Sequence, residues 1–251
     1  MFLKLKPLIG TLIVTLALVI KCGNHTVNPY TKRFQNINLN TEQEISIGLQ
    51  SAPELIQKHG GLHNDQKLQT IIDDVGKKLL TNNISKKTPY KFEFHLLANE
   101  TTINAYALPG GQIFLTYGLL VHLKNEDQIA GVLGHEIGHV LGRHSAEKIS
   151  KCEFWQSIAT STSLYPKTYN LTNEDKKIPL LKNGLEDELE SDELAVLFMI
   201  NAGYNPKEMV NVMQILKQTS HNHNTPEFQS SHPNPENRIE HIKEIIKKNK
   251  N

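Results

Sequence analysis

Cysteine is nearly absent from this chain: 251 residues contain two, Cys22 and Cys152. Two thiols cannot build a disulfide framework or a four-cysteine zinc site, so stability must come from a packed core and any zinc from other donors. Surplus charge is also missing. With 27 Lys and Arg against 26 Asp and Glu, the net charge of +1 generates no global field to recruit nucleic acid, and no nucleic-acid partner is expected. No apolar run reaches the roughly 20 residues that a membrane-crossing helix needs. What is there in quantity is ordinary: 38% hydrophobic residues are enough to fill the core of one large domain.

The longest uncharged stretch, Leu8 to Ile20, follows Lys4 and Lys6. Its length fits the apolar core of a signal peptide, about 7–15 residues. Residues 1–22 are therefore read as an export signal, with a short uncleaved anchor as the alternative. Cys22 stands where a lipoprotein signal carries its acylated cysteine, with Gly23 and Asn24 behind it, but Lys21 occupies a position where such signals have a small residue. Lipidated and plainly cleaved forms both stand, and membrane contact is expected only through such an amino-terminal lipid. Residues 23–40 are polar and aperiodic and read as a linker; residues 41–251 read as one domain without internal repeats. Cys152, beside Phe154 and Trp155, is expected to be buried.

Within that domain, Thr41 with Glu44 reads as a capping box for a helix to about Lys58, ended by Gly60-Gly61. Leu68, Ile71, Ile72, Val75, Leu79 and Leu80 recur with a helical period and predict a second amphipathic helix. From Lys91 to Ala98 the period becomes two, as in a strand. Asn104 to Leu108, the turn Pro109-Gly110-Gly111 and Gln112 to Thr116 complete an expected small antiparallel sheet. Asn125 with Gln128 caps a long helix predicted to run to about Ile149. A polar loop at 167–182, a helix from Glu186 to Ala202 closed by Gly203, another from Pro206 to Lys217, a His- and Asn-rich loop at 220–235 and a final helix to Lys248 follow.

The long helix carries His135-Glu136-Ile137-Gly138-His139. Residues four apart share one helical face, so the two imidazoles can converge on one zinc ion with a carboxylate beside them to handle a proton of water. With 12 His in 251 residues, this string arises by chance with a probability of roughly a few per cent, so its surroundings must decide. A catalytic zinc needs a third protein ligand. His144 is an unsuitable one, because on a continuous helix it lies almost opposite His135. Glu188 and Asp192, one turn apart, are better: the first can reach the ion while the second holds a ligand imidazole. Glu186, Glu190 and Glu193 then read as surface charges, and an ordinary solvated acidic face is the competing reading of the whole segment.

These strings together resemble peptidase family M48, the zinc endopeptidases. Asn104 to Gly111 matches the family's Asn-Ala-Phe-Ala-x-Pro-Gly-Gly, Gly134 to Val140 its zinc helix, and Glu188 to Asp192 its Glu-x-x-Ala-Asp, with Ser191 where the family has alanine. Ala202 to Pro206, and Ser231-His232-Pro233 with Arg238, match two later segments, so the likeness covers about residues 41 to 247. It implies a mainly helical α+β fold, a gluzincin-type zincin with a small antiparallel sheet beside the active-site helix. It implies one Zn2+ per chain held by His135, His139 and Glu188, with Asp192 orienting a ligand histidine and Glu136 as general base and then proton donor. Asn104, Ala105 and Tyr106 would form a sheet edge on which extended polypeptide pairs through its backbone, with a plain hairpin strand as the alternative. Arg238 would stabilise the developing oxyanion. His232 would either assist it or occupy the fourth zinc position as a gate, while His221 and His223 are expected to be solvated.

The resulting expectation is an exported bacterial endopeptidase, periplasmic or an outer-membrane lipoprotein, that cuts misfolded or unassembled envelope proteins. The rival is a chaperone-like binder of polypeptide with a plugged zinc. A purely structural zinc site fits poorly, because three ligands beside a glutamate leave one coordination position over.

Overall fold

The fold follows from one helix enclosed on every side. A computed structural model describes residues 25–81, 88–152, 184–222, 231–232 and 235–249. The expected export signal, the loop at 167–182 and His223 lie outside them.

The segment expected to be a linker is instead part of the domain. Strands β1 (His25–Val27) and β2 (Phe34–Asn36) pair antiparallel, with Val27 opposite Phe34. Asn28 and Gln35, both buried, tie this ribbon to the main body: Asn28 Nδ2 donates to the Leu141 carbonyl (2.8 Å) and Gln35 Nε2 to that of Gly142 (2.6 Å). Three-residue strands are too short for alternation to reveal them, and buried amides carry no hydrophobic signal.

Helix α1 (Thr41–Lys58) is capped by Asn40 rather than Thr41. Asn40 Oδ1 accepts from the Gln43 amide and Gln43 Oε1 accepts from the Asn40 amide, both at 2.9 Å. Glu44 is therefore not a capping residue but is buried, accepting a hydrogen bond from Tyr90 Oη at 2.9 Å. Helix α2 (Gln66–Leu79) starts at Asp65, whose Oδ1 accepts from the amides of Lys67 and Leu68; such a cap contributes about 1 kcal/mol. Its Ile72, Val75 and Leu79 enter the main core.

Strands β3 (Glu93–Leu97), β4 (Ala105–Ala107) and β5 (Gln112–Thr116) form one sheet in the order β3-β5-β4. β4 and β5 are antiparallel across the Pro109-Gly110 turn, where Gly110 takes φ 82°, but β3 and β5 run parallel. The sheet is thus mixed, not antiparallel throughout. Side-chain alternation is the same for either pairing, so the sequence pattern does not distinguish them. Leu96 and Leu97 are both buried, because a second cluster of Ala52, Leu55, Tyr106, Leu108 and Phe114 covers the face that would otherwise meet solvent.

After the short α3 (Tyr117–Leu120) comes α4 (Glu126–Leu141), in which every residue from Gln128 to Leu141 is buried. It packs against α2, α6 (Leu185–Asn201), α7 (Glu208–Asn222) and β4. A helix surrounded in this way has to be apolar or small on all faces, and polar residues there need dedicated partners. The predicted continuation to Ile149 is interrupted: Gly142 caps α4, Arg143 takes the left-handed φ of 55°, and a new helical run, α5, covers 144–152. Arg143 is held in that conformation by Glu44 and the Leu39 carbonyl. Cys152 on α5 is exposed, contrary to expectation. α7 runs past Lys217 to Asn222, and α8 (Pro235–Lys248) buries Ile242, Ile245 and Ile246. Among the described residues, no helix is long and apolar enough to cross a membrane.

Candidate metal centre

Asn125 starts α4 by accepting the Gln128 amide at 2.9 Å, and the helical repeat then stacks His135 and His139 one turn apart. Their Nε2 atoms lie 2.9 Å from one another with the rings nearly perpendicular, at 89°. α6 brings Glu188 against both: Oε1 is 3.3 Å from His139 Nε2 and Oε2 is 3.4 Å from His135 Nε2. The approach depends on glycine. A Cβ on Gly138 would lie 2.9 Å from Ser191 Cα and one on Gly134 3.3 Å from Ala195 Cα, so the two ligand-bearing helices touch backbone to backbone.

The segment at 231–232 adds His232, which is 3% exposed. Its Nδ1 lies 3.1 Å from Glu188 Oε1 and 3.3 Å from His135 Nε2. His135, His139, Glu188 and His232 each offer a ligand atom, and all four atoms lie within 4.8 Å of one another. This is a zinc-like donor set of imidazole nitrogens and one carboxylate.

Behind the donors, Asp192 Oδ1 accepts from His135 Nδ1 at 2.9 Å, which leaves His135 Nε2 as the lone-pair nitrogen. Arg238 closes this side from α8. Its Nε donates to Asp192 Oδ2 (2.8 Å), its Nη2 to Asp192 Oδ1 (2.7 Å), and its Nη1 lies 2.6 Å from Glu188 Oε2. Arg238 is fully buried and its guanidinium is spent on these two carboxylates. It sits behind the ligands as the counter-ion of Glu188 and Asp192.

The charges act accordingly. Burial pushes the Glu188 and Asp192 carboxyls up, but the cationic groups around them, Arg238 foremost for Asp192, hold both below the usual carboxylate range. Burial and Arg238 push His135 down, yet hydrogen bonds to Asp192 and Glu188 outweigh them and raise it to about 9. Burial holds His139 well below the ordinary histidine value, outweighing Glu188, which raises it. Burial likewise raises Glu136, which is 1% exposed. Glu136 Oε1 is a buried atom with no hydrogen-bond partner, and His232 Nε2 lies 3.7 Å from it. A buried oxygen in this condition is costly unless its function is to receive a proton from the reactant. Converging lone pairs plus this orphaned acceptor fit a zinc ion and an attacking water.

His144 and Glu190 are the residues sequence reasoning missed. His144 Nδ1 lies 2.8 Å from His139 Nδ1, and His144 Nε2 lies 2.7 Å from Glu190 Oε2. The helix break at 142–143 redirects the ring that a continuous helix would have turned away. Glu190, expected at the surface, is half-buried, whereas Glu186 and Glu193 are exposed as expected.

Among the described residues, β4 is an outer strand of its sheet and packs on α4. The Thr116 amide bonds the Asn104 carbonyl and the Leu108 amide the Gln112 carbonyl. Strand alternation therefore turns the backbone groups of Ala105 and Ala107 to the open edge and those of Asn104 and Tyr106 toward β5. Of the three residues expected to pair with polypeptide, only Ala105 faces outward, and Ala107 joins it. The Asn104 side chain accepts from the Ala105 amide (2.9 Å) and donates to Ser231 Oγ (3.4 Å), linking this edge to the segment that carries His232.

The model of peptidase family M48 matches residues 63–246. Among curated proteins, the chain is 36% identical over 113 residues to the mitochondrial metalloendopeptidase OMA1 of Arabidopsis thaliana, covering 45% of this chain and 23% of that protein. It is 27% identical over 214 residues to the beta-barrel assembly-enhancing protease of Escherichia coli K12, covering 80% and 43%. Over 224 residues it is 27% identical to OMA1 of Schizosaccharomyces pombe, covering 86% and 64%. The chain thus spans less than two thirds of the length of each of these relatives.

Proposed function

This chain belongs to peptidase family M48, and from that premise we propose that it is a zinc-dependent endopeptidase acting on extended polypeptide. The observation that carries the reading is the convergence of His135 Nε2, His139 Nε2 and the Glu188 carboxylate beside the orphaned Oε1 of Glu136. His135, His139 and Glu188 would hold the ion. When bound, zinc supplies Lewis acidity, lowering the barrier to deprotonating water and polarising the scissile carbonyl. Glu136 takes the proton of the attacking water on Oε1 and later passes it to the leaving amine nitrogen, a transfer suited to a carboxyl raised by burial. Asp192 fixes the His135 tautomer, and Arg238 keeps Asp192 and Glu188 ionised in a site that excludes bulk water.

A peptide adding to β4 would bond the Ala105 carbonyl and the outward backbone groups of Ala107, since the Ala105 amide already donates to Asn104 Oδ1; this reads main chain and not side chains. That mode suits unfolded segments of many sequences, in keeping with misfolded or unassembled envelope proteins as substrates. Export to the periplasm, or attachment to the outer membrane through Cys22, rests on the apolar run that ends at Ile20.

His232 is read as a gate, since its ring reaches the same point as the three ligands. Its proximity also favours a second reading, a polypeptide-holding protein whose zinc stays plugged. The deciding experiment measures bound zinc and casein cleavage in the parent, Glu136→Gln and His232→Ala. The proposal expects one zinc in each protein, no cleavage by Glu136→Gln and faster cleavage by His232→Ala. Cleavage by zinc-loaded Glu136→Gln would refute the base, unchanged cleavage by His232→Ala would refute the gate, and polypeptide binding without cleavage by any protein would favour the holding role.

A further inference from the structure

His135 and His139 have the same chemistry but unequal support, and the support of His139 reaches far from the site. For His139 to present a bare Nε2 to an ion, its proton must sit on Nδ1. Nδ1 of His144, 2.8 Å away, must then accept that proton's hydrogen bond, which leaves the His144 proton on Nε2. There Glu190 Oε2, at 2.7 Å, receives it as a pure acceptor. With both rings neutral, one arrangement of protons satisfies these contacts, and it is the arrangement that serves a metal. His144 is 1% exposed, so solvent does not stand in for its partners. Its ring lies against Gly142, where an added Cβ would land on the imidazole. Ser191 Oγ, the other polar contact of His144 Nδ1, is farther away at 3.5 Å.

Beyond Glu190 stands Arg33 of the amino-terminal ribbon. Its Nε lies 3.5 Å from Glu190 Oε2, its Nη1 3.2 Å from Asp187 Oδ1, and its Nη2 donates to Glu147 Oε2 at 2.8 Å. The same ribbon, through Asn28 and Gln35, binds the carbonyls of Leu141 and Gly142 at the break that aims His144. Arg33 precedes the family-matched residues 63–246, so this end of the chain of contacts lies outside the family match.

We propose, resting on the zinc reading above, that His144, Glu190 and Arg33 are positioning residues: His144 and Glu190 form a hydrogen-bonded relay that holds His139 in its metal-facing tautomer, and Arg33, ion-paired with Glu190, makes residues 25–36 part of the zinc site. The relay touches neither substrate nor reacting atoms. It acts on the ion only through His139.

The test uses the full chain. Zinc affinity is measured by competition with a chromophoric chelator, ligand geometry by the visible spectrum of the cobalt(II) form, and folding by thermal melts. His144→Ala is expected to weaken zinc binding by about 10–100-fold and to alter the cobalt spectrum. His144→Asn, whose Oδ1 falls near the place of Nδ1, is expected to recover a large part of the loss. Glu190→Ala is expected to lose about tenfold, at the low end for such partners, and Arg33→Gln less, with an unchanged melt. Should His144→Ala fail to fold, Glu190→Ala decides, because it removes the acceptor of the His144 Nε2 proton and leaves the ring in place. Affinities within twofold of the parent and an unmoved cobalt spectrum in His144→Ala and Glu190→Ala, or in Glu190→Ala alone where His144→Ala does not fold, overturn the relay. So does His144→Asn performing no better than His144→Ala. A parent chain that takes up no zinc overturns the zinc reading and the relay with it, whereas zinc uptake by the parent beside unaffected variants overturns the relay alone.

Discussion

The two sides of the metal centre are built from unlike materials. Behind His135 stands a closed set of charges, Asp192 and Arg238, both fully buried and contributed by α6 and α8. Behind His139 stand an imidazole, a half-buried carboxylate and an arginine from a two-stranded ribbon whose side chain is 23% exposed. In the first, the desolvation of Glu188 and Asp192 is offset by one guanidinium, so ligand orientation and global stability are inseparable. In the second, the contacts run outward to a margin of the domain, so orientation can fail while the fold survives. The comparison separates residues that keep the site from coming apart from residues that keep it aimed.

The sharpest way to break that comparison is to remove each arginine. Arg238→Met leaves two buried carboxylates without their counter-ion and should destabilise the chain by about 3–5 kcal/mol in urea unfolding. Arg33→Met, at a partly exposed ion pair, should cost at most about 1 kcal/mol. Equal losses would show that the two sides are held alike. A smaller effect is expected between the ligand helices. Gly138→Ala forces a Cβ to within 2.9 Å of Ser191 Cα, an overpacking worth about 1–3 kcal/mol. Gly134→Ala, with 3.3 Å to Ala195 Cα, should cost less; the reverse order in thermal melts would mean that the helices are not pinned at Ser191.

The mildest test is pH. His135, raised to about 9 by its carboxylate partners, carries a proton at neutral pH that an incoming zinc must displace, whereas His139 is already neutral. Apparent zinc affinity should therefore climb about tenfold per pH unit between 7 and 8, about 1.4 kcal/mol, and flatten above about 9. A hundredfold rise per unit would mean that both rings hold protons and that the asymmetry is wrong.

What the sequence disclosed was set by what its patterns can encode. The motif helix, Glu188 with Asp192, and the glycine stop of α6 were readable because spacing along a helix translates directly into a shared face or a cap. The parallel pairing of β3 with β5 was not, since alternation is blind to strand direction. Glu190 was misjudged because charge in a sequence suggests solvent, and only tertiary packing shows that a glutamate turns toward a buried imidazole or that Arg238 neutralises two acids. His144 was rejected as a zinc ligand by an argument about a continuous helix; the left-handed Arg143 removes that premise, yet His144 is not among the four converging donors, and its place behind His139 is visible only in the packing. The ribbon was invisible for a plainer reason: Asn28 and Gln35 look like any polar residues until the carbonyls they satisfy are in view.

Those carbonyls lie far along the chain. Asn28 meets Leu141 across 113 residues of sequence, Gln35 meets Gly142 across 107, and Arg33 meets Glu147 across 114. Closing such wide loops is entropically expensive and slow compared with winding a helix. In renaturation, the ribbon is therefore expected to dock late, with helical circular dichroism returning ahead of tight zinc binding.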